Sequence, residues 1–223
     1  MLLFLHGFLG QKEDWEPLLS YLPASMGKAI DLPLTAEDIA LAIKKQIPKA
    51  SCLIGYSAGG RIALELKARF PDDYGRVIAL SAHPGLSSEE EKQTRWKIDQ
   101  EWISMLKSAP FEHFLQKWYC QELFTNLKKC DAFDAMLARR KNQNPLHLAQ
   151  FLERNSIAKK KRFEIFPNTI FAHGKEDLKY EKLYRRLTET EKIFTIEKAS
   201  HAVHLENPQA CAKIIQGVLD EHY

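Results

Sequence analysis

Apolar residues in this chain come in short runs that stop at turn residues. They are "LLFL" at 2–5, "KAI" at 28–30, "CLIGY" at 52–56, "VIALS" at 77–81, "TIFAH" at 169–173 and "KIFTIE" at 192–197. These runs read as strands, and helical spacing of apolar positions lies between most of them, at 36–47, 58–69, 179–189 and 208–220. Strand alternating with helix predicts an α/β fold with a mostly parallel sheet covered on both faces. The rhythm breaks over 87–163, where no convincing strand is found and several helices are interrupted near Pro110 and Pro145. A helical insertion over 87–163, set at one end of a sheet core formed by 1–86 and 164–223, is the expected organisation. Neither an internal repeat nor a low-complexity segment is seen. The "KKKR" run at 159–162 reads as a solvated return from the insertion, with a specific anion site as the alternative.

Composition narrows the class. A chain of 223 residues is long enough for one sizeable core with an inserted subdomain. Its 45% hydrophobic and 27% charged residues are ordinary for a soluble globular protein. The net charge of +3 is scattered, which argues against nucleic acid as a partner and would suit an anionic small molecule. Cys52, Cys120, Cys130 and Cys211 are far apart and form no C-x-x-C pair, so neither a zinc site nor a disulfide framework is indicated. "MLLFL" is cut short by His6-Gly7, and no later apolar run approaches the roughly 18 residues a membrane span needs. A cytoplasmic protein is expected by elimination.

The sharpest corner in the pattern is Gly55-Tyr56-Ser57-Ala58-Gly59, which fits G-x-S-x-G between a strand and a helix. A strand turning that abruptly strains the corner residue, and small neighbours let strand and helix approach. The serine hydroxyl is then presented at a helix N-terminus, where backbone N–H groups favour developing negative charge. The competing reading is a plain tight turn. An active serine needs an imidazole, and the imidazole needs a carboxylate to hold its tautomer. In a strand–turn–helix site of this kind the carboxylate and then the histidine follow in chain order. "FAHGKEDLKY" supplies Asp177, with Glu176 as competitor. "KASHAVHLENP" supplies His201, with His204 better suited to bracing the loop or capping the helix that begins around Pro208. His113 and His147 fall in the insertion, and His6 is placed to shape the loop after the first strand. An oxyanion site would use the backbone N–H of Ala58 and that of Phe8 within "HGFLG".

Together, "LLFLHGFLGQKEDW", "LIGYSAGGRIAL" and "ASHAVHLENP" resemble the α/β-hydrolase superfamily. Within it the chain is similar to the 2-succinyl-6-hydroxy-2,4-cyclohexadiene-1-carboxylate synthase family of menaquinone biosynthesis. The insertion carries that closer likeness, because "SAHPGLSSEEEKQTRWKIDQEW", "FLQKWYCQELFTNL" and "RKNQN" at 140–144 resemble the family's lid. The resemblance implies an α/β-hydrolase fold with a helical lid, and a lyase in place of an esterase. Such an enzyme takes a proton from a cyclohexene substrate, expels pyruvate and leaves a cyclohexadiene. His201 would draw the proton from Ser57, the serine oxygen would act as the base towards carbon, and Asp177 would orient the imidazole. The family holds its substrate's carboxylates with arginines, and the matching positions are Arg61, Arg95 and Arg140. Arg61 lies four residues after Ser57, on the same side of the helix. A guanidinium also suits a carboxylate better than a lysine does. Tyr56 and Trp118 match positions near the substrate. Surface salt bridges are the plain alternative for the arginines, and core packing for the two aromatic residues.

Two departures from the family bear on the pocket. The chain begins almost on the first strand of the serine-facing sheet, so the antiparallel strands that usually precede it are expected to be absent. About six strands would remain, one of them an exposed edge needing cover. After "AIDLP" the chain reads "LTAED" without the usual Gly-His-Gly turn. No metal-ligand spacing and no glycine-rich phosphate loop are found, so no metal, nucleotide or other cofactor is expected. Three functions stay open on the residues alone: the lyase, a serine hydrolase of small esters or carbon–carbon bonds, and a non-catalytic binding module. The triad is common to the first two, so arginines and lid must separate them.

Overall fold

The computed structural model describes residues 1–220. Its strands are β1 (Leu2–Leu5), β2 (Gly27–Ile30), β3 (Ala50–Tyr56), β4 (Tyr74–Leu80), β5 (Thr169–Gly174) and β6 (Ile193–Ile196). All pair in parallel, in the order β2-β1-β3-β4-β5-β6. Alternate residues of each strand feed opposite faces. Leu3 and Leu5 of β1, Leu53 of β3 and Val77 and Ala79 of β4 pack on one side. Leu2 and Phe4, Cys52 and Ile54, and Ile78 and Leu80 pack on the other. Both faces are covered, and this is why the strands read as unbroken apolar runs.

Among the described residues, ten α-helices connect and cover the strands: α1 (Glu16–Leu19), α2 (Ile39–Gln46), α3 (Ala58–Arg69), α4 (Glu89–Ser108), α5 (Phe111–Tyr119), α6 (Ala132–Lys141), α7 (Pro145–Asn155), α8 (Leu178–Arg185), α9 (Val203–Glu206) and α10 (Pro208–Asp220). Ile39 of α2, Ile62 of α3 and Tyr184 of α8 bury the first face. Leu18 of α1 and Cys211 and Ile215 of α10 bury the second. Helix α2 begins later than the apolar pattern at 36–47 suggests because the Asp38 side chain accepts the Leu41 N–H and caps it there. The sheet edges, β2 and β6, are only four residues long, which limits the unpaired backbone they expose.

Helices α4 to α7 all lie between β4 and β5. A reciprocal cap starts α4: Ser88 Oγ accepts the Glu91 N–H at 3.1 Å, and Glu91 Oε2 accepts the Ser88 N–H at 3.1 Å. Pro145 opens α7 behind the Asn144 cap, where its missing N–H costs nothing. Ile103, Phe114, Met136 and Leu148 from these helices join the apolar cluster that covers Ile54 and Leu80. The helical layer is therefore continuous with one face of the sheet. The 159–162 run is stitched down: Lys160 pairs with Glu65 at 2.9 Å, Arg162 donates to Ser87 at 2.9 Å, and Lys159 lies 3.8 Å over the Trp96 ring.

The chain enters the sheet at β1, moves to β2 on one side and returns to β3 on the other. That reversal opens a crevice at the carboxyl ends of β1 and β3, the usual ligand position in such sheets. Leu5 and Gly55 are register partners there, so the loop after β1 and the turn after β3 start side by side.

Candidate active site

Ser57 occupies the turn between β3 and α3 with φ 49 and ψ −109, a left-handed conformation that costs a non-glycine residue on the order of 1–3 kcal/mol. The strain is held by packing. A Cβ on Gly55 would meet the Gly60 Cα at 2.5 Å, and a Cβ on Gly59 would run into the Leu5 carbonyl at the end of β1. Glycine at these two positions lets α3 start hard against both strands. Ala58 is the first residue of α3, so its N–H has no carbonyl a turn earlier in the helix. Neither that amide nor the Phe8 amide takes part in a backbone hydrogen bond among the described residues. The loop bearing Phe8 is shaped by His6, whose Nε2 accepts the Leu32 N–H at 2.9 Å. Its Nδ1 therefore carries the proton, and it donates to the Gly7 carbonyl at 2.8 Å.

Asp177 follows β5 and caps α8, its Oδ1 accepting the Tyr180 N–H at 3.3 Å. The other oxygen, Oδ2, lies 3.0 Å from Nδ1 of His201. A carboxylate only accepts, so Nδ1 holds the proton and Nε2 is left free as a base. Ser57 and His201 line the same cavity as Asp177, but the serine hydroxyl is not hydrogen-bonded to the ring among the described residues. Among the described residues the imidazole is thus hydrogen-bonded on the Asp177 side only. Such contacts tighten when substrate fills a site of this kind. The competitors play other parts, although His204 lines the same cavity. Glu176 is exposed and accepts from the Asn126 side chain, tying the return strand to the helical layer. His204 caps no helix: it is 1% exposed, with ring centroids 4.5 Å from Trp15 and 4.4 Å from Tyr56. Burial pulls its pKa down to about 3, so the ring is neutral. The brace of the histidine loop is Glu206, which accepts the N–H groups of Ser200 and Ala202 on either side of His201. Sequence reasoning missed it; an acidic residue five positions after the histidine was the available signal.

Arg61, Arg95 and Arg140 also line this cavity, with Tyr56, Trp118 and Phe8. Arg95 donates from Nε to Asp99 at 2.8 Å, and Asp99, 1% exposed, is held in turn by Ser156 Oγ at 2.6 Å. Arg61 has no carboxylate on it among the described residues. Burial, and then the charge of Arg95, bring its pKa down to about 10. Arg61 and Arg95 thus share a single carboxylate, Asp99, an imbalance that an anionic ligand relieves. Arg140 is no surface residue: it is 3% exposed and ion-paired to Asp14. Trp118 packs on Phe8 at 5.0 Å and Trp102 at 5.1 Å and also forms cavity wall. Lys179 and Tyr180, just past Asp177, line the same cavity and were not singled out from the sequence. Among the described residues, no cluster of three His, Cys, Asp or Glu side chains is arranged to hold a metal ion, and no helix is long and apolar enough to cross a membrane.

The model of the alpha/beta hydrolase family matches residues 2–214. A 2-succinyl-6-hydroxy-2,4-cyclohexadiene-1-carboxylate synthase from Enterobacter sp. (strain 638) is 29% identical, over 98% of this chain and 91% of its own. One from Escherichia fergusonii is 30% identical, over 93% of this chain and 88% of its own. Among solved structures, that of MenH from S. aureus superposes with a TM-score of 0.85 at 23% identity, covering 98% of this chain and 92% of that one. With a six-stranded parallel sheet, a serine at its sharpest turn and relatives matched almost from end to end, the chain belongs to the alpha/beta hydrolase family, on the branch that carries these synthases.

Proposed function

We propose that the chain is a carbon–oxygen lyase that eliminates pyruvate from a succinyl-enolpyruvyl-hydroxycyclohexene carboxylate, giving 2-succinyl-6-hydroxy-2,4-cyclohexadiene-1-carboxylate. The observation that supports this best is the meeting of Arg61, Arg95 and Arg140 around Ser57 in one cavity. An esterase of small neutral substrates has no use for three guanidinium groups there. A substrate with several carboxylates does. In this reading His201 Nε2 takes the serine proton, and the Ser57 oxygen removes a proton from a ring carbon. The released electron pair enters the ring as its second double bond, and the carbon–oxygen bond to the enolpyruvyl group breaks. The departing enolate takes up a proton and becomes pyruvate. Charge that develops on the carbonyl beside the reacting carbon is met by the amides of Phe8 and Ala58. Asp177 keeps the imidazole in the tautomer that accepts.

The substrate is thus an anionic small molecule, the reaction needs no metal or organic cofactor, and the site of action is the cytoplasm, in keeping with four free cysteines. The test is direct. Purified protein given the cyclohexene intermediate should release pyruvate, read by a coupled lactate dehydrogenase assay, with the diene appearing in step. Activity should persist after exhaustive chelation. Absence of pyruvate above the uncatalysed rate overturns the lyase reading, and metal-restorable loss on chelation overturns the cofactor-free one.

A further inference from the structure

The inner end of the cavity is built around a carboxylate that the chemistry just described does not use. Asp14 lies in a short turn of the core, Lys12–Trp15, and is 2% exposed. Its Oδ2 takes Nη2 of Arg140 and, at 3.1 Å, the N–H of Gln11. Its Oδ1 takes Nη2 of Arg139 at 3.0 Å. Both arginines belong to α6, so one core carboxylate holds two cations of the helical layer. Arg140 is anchored a second time, by Nε to the Tyr119 hydroxyl at 3.3 Å. Its Nη1 is buried and has no hydrogen-bond partner among the described residues.

A guanidinium is planar and carries its donors in a rigid fork. Anchoring the Nε–Nη2 side fixes that plane and leaves Nη1 as the free corner. An unpaired buried donor of this kind is costly unless a ligand completes it. Charge points the same way. One carboxylate between two guanidinium groups leaves the cluster net positive, so an incoming carboxylate is still attracted.

We propose that Asp14 is a positioning residue for substrate: by gripping Arg140 from the core, it aims the free Nη1 corner at a substrate carboxylate. This rests on the lyase reading for the identity of that substrate. A purely structural alternative exists, because the same contacts tie helix α6 to the core. Arg139 separates the two, since it shares the tie but does not line the cavity.

The test is a double-mutant cycle on Asp14→Asn and Arg140→Ala, with Arg139→Ala as comparison. One arm reads kcat and KM for pyruvate release. The other titrates succinate against the fluorescence of Trp102 and Trp118, which line the cavity, and needs no turnover. Asp14→Asn should raise KM and the succinate Kd about tenfold, and add little to either in the Arg140→Ala background. Losses that simply multiply overturn the proposal. So does an Arg139→Ala variant that reproduces the Asp14→Asn loss, or a wild-type protein that does not bind succinate. Succinate coupling without pyruvate release overturns the lyase reading alone and leaves the role of Asp14 standing. If Asp14→Asn does not fold, Asp14→Glu replaces it: the charge is kept but displaced by a methylene, and the same coupling is expected.

Discussion

At the scale of single residues, the catalytic case turns on which atoms of His201 are committed. Nδ1 is spoken for by Asp177 at 3.0 Å, so Nε2 alone can exchange a proton with Ser57. Asp177→Asn keeps the shape but lets the amide donate to Nδ1, moving the ring proton to Nε2. Turnover should fall by about 10⁴-fold, measured as kcat, while Glu176→Gln, an exposed change, should leave it near wild type. Equal losses in both variants would reassign the carboxylate. The arginines make a different prediction. Arg95→Ala leaves the buried Asp99 without its ion pair and a substrate carboxylate without a partner, worth about 2–5 kcal/mol. Pyruvate release should drop roughly 30-fold or more in kcat/KM, with a smaller loss on a small neutral ester. Ser57→Ala should abolish both activities. Proportional losses on the two substrates in Arg95→Ala would make the arginine structural and remove the main support for a lyase.

At the scale of elements, strand positions were legible because the four central strands are buried on two faces and their apolar runs say so. The start of the helical layer was legible for another reason, since Ser88 and Glu91 write a cap into the sequence three residues apart. What could not be read locally are contacts made across the chain. Nothing near Asp14 announces a partner 126 residues away. The separation of His201 from His204 needed chain order, whereas the burial of His204 between Trp15 and Tyr56 is a tertiary fact. The cap on α4 carries its own prediction. Ser88→Ala removes one side of a reciprocal pair and should cost about 1 kcal/mol. Because the cap is exposed, the loss should show as faster hydrogen exchange in the first turns of α4, with the buried β3 and β4 amides little changed. Uniform acceleration across both would mean that the helical layer and the sheet open as one unit.

At the scale of the whole molecule, burial holds three histidines neutral while the fold exists, nearly complete for His6 and His204 and partial for His83. Burial lowers the pKa of His6, brings that of His83 down to about 4, and brings that of His204 down to about 3. Each returns to its ordinary value near 6.5 when the chain unfolds. The unfolded state therefore binds protons first on acidification, so stability present above about pH 6.5 is lost as pH falls towards the folded values. Asp14 works in a lower window. Burial opposes its charge, but the Arg140 guanidinium outweighs that and holds the carboxyl below its usual range, so its contribution fades only as pH drops through about 4. Above the Asp14 window it is the histidines that act, and His204, at 1% exposure, is the clearest single source among them. A histidine with a folded pKa of about 3 costs about 2 kcal/mol of stability between about pH 7.5 and about pH 5. His204→Gln removes the titrating group, whatever it does to stability at neutral pH. The melting temperature of the variant should therefore fall less over that interval than the wild type's, by about 4–8 °C for a chain of this size. An unchanged acid slope would mean that His204 is protonated in the folded protein, which its place between Trp15 and Tyr56 speaks against.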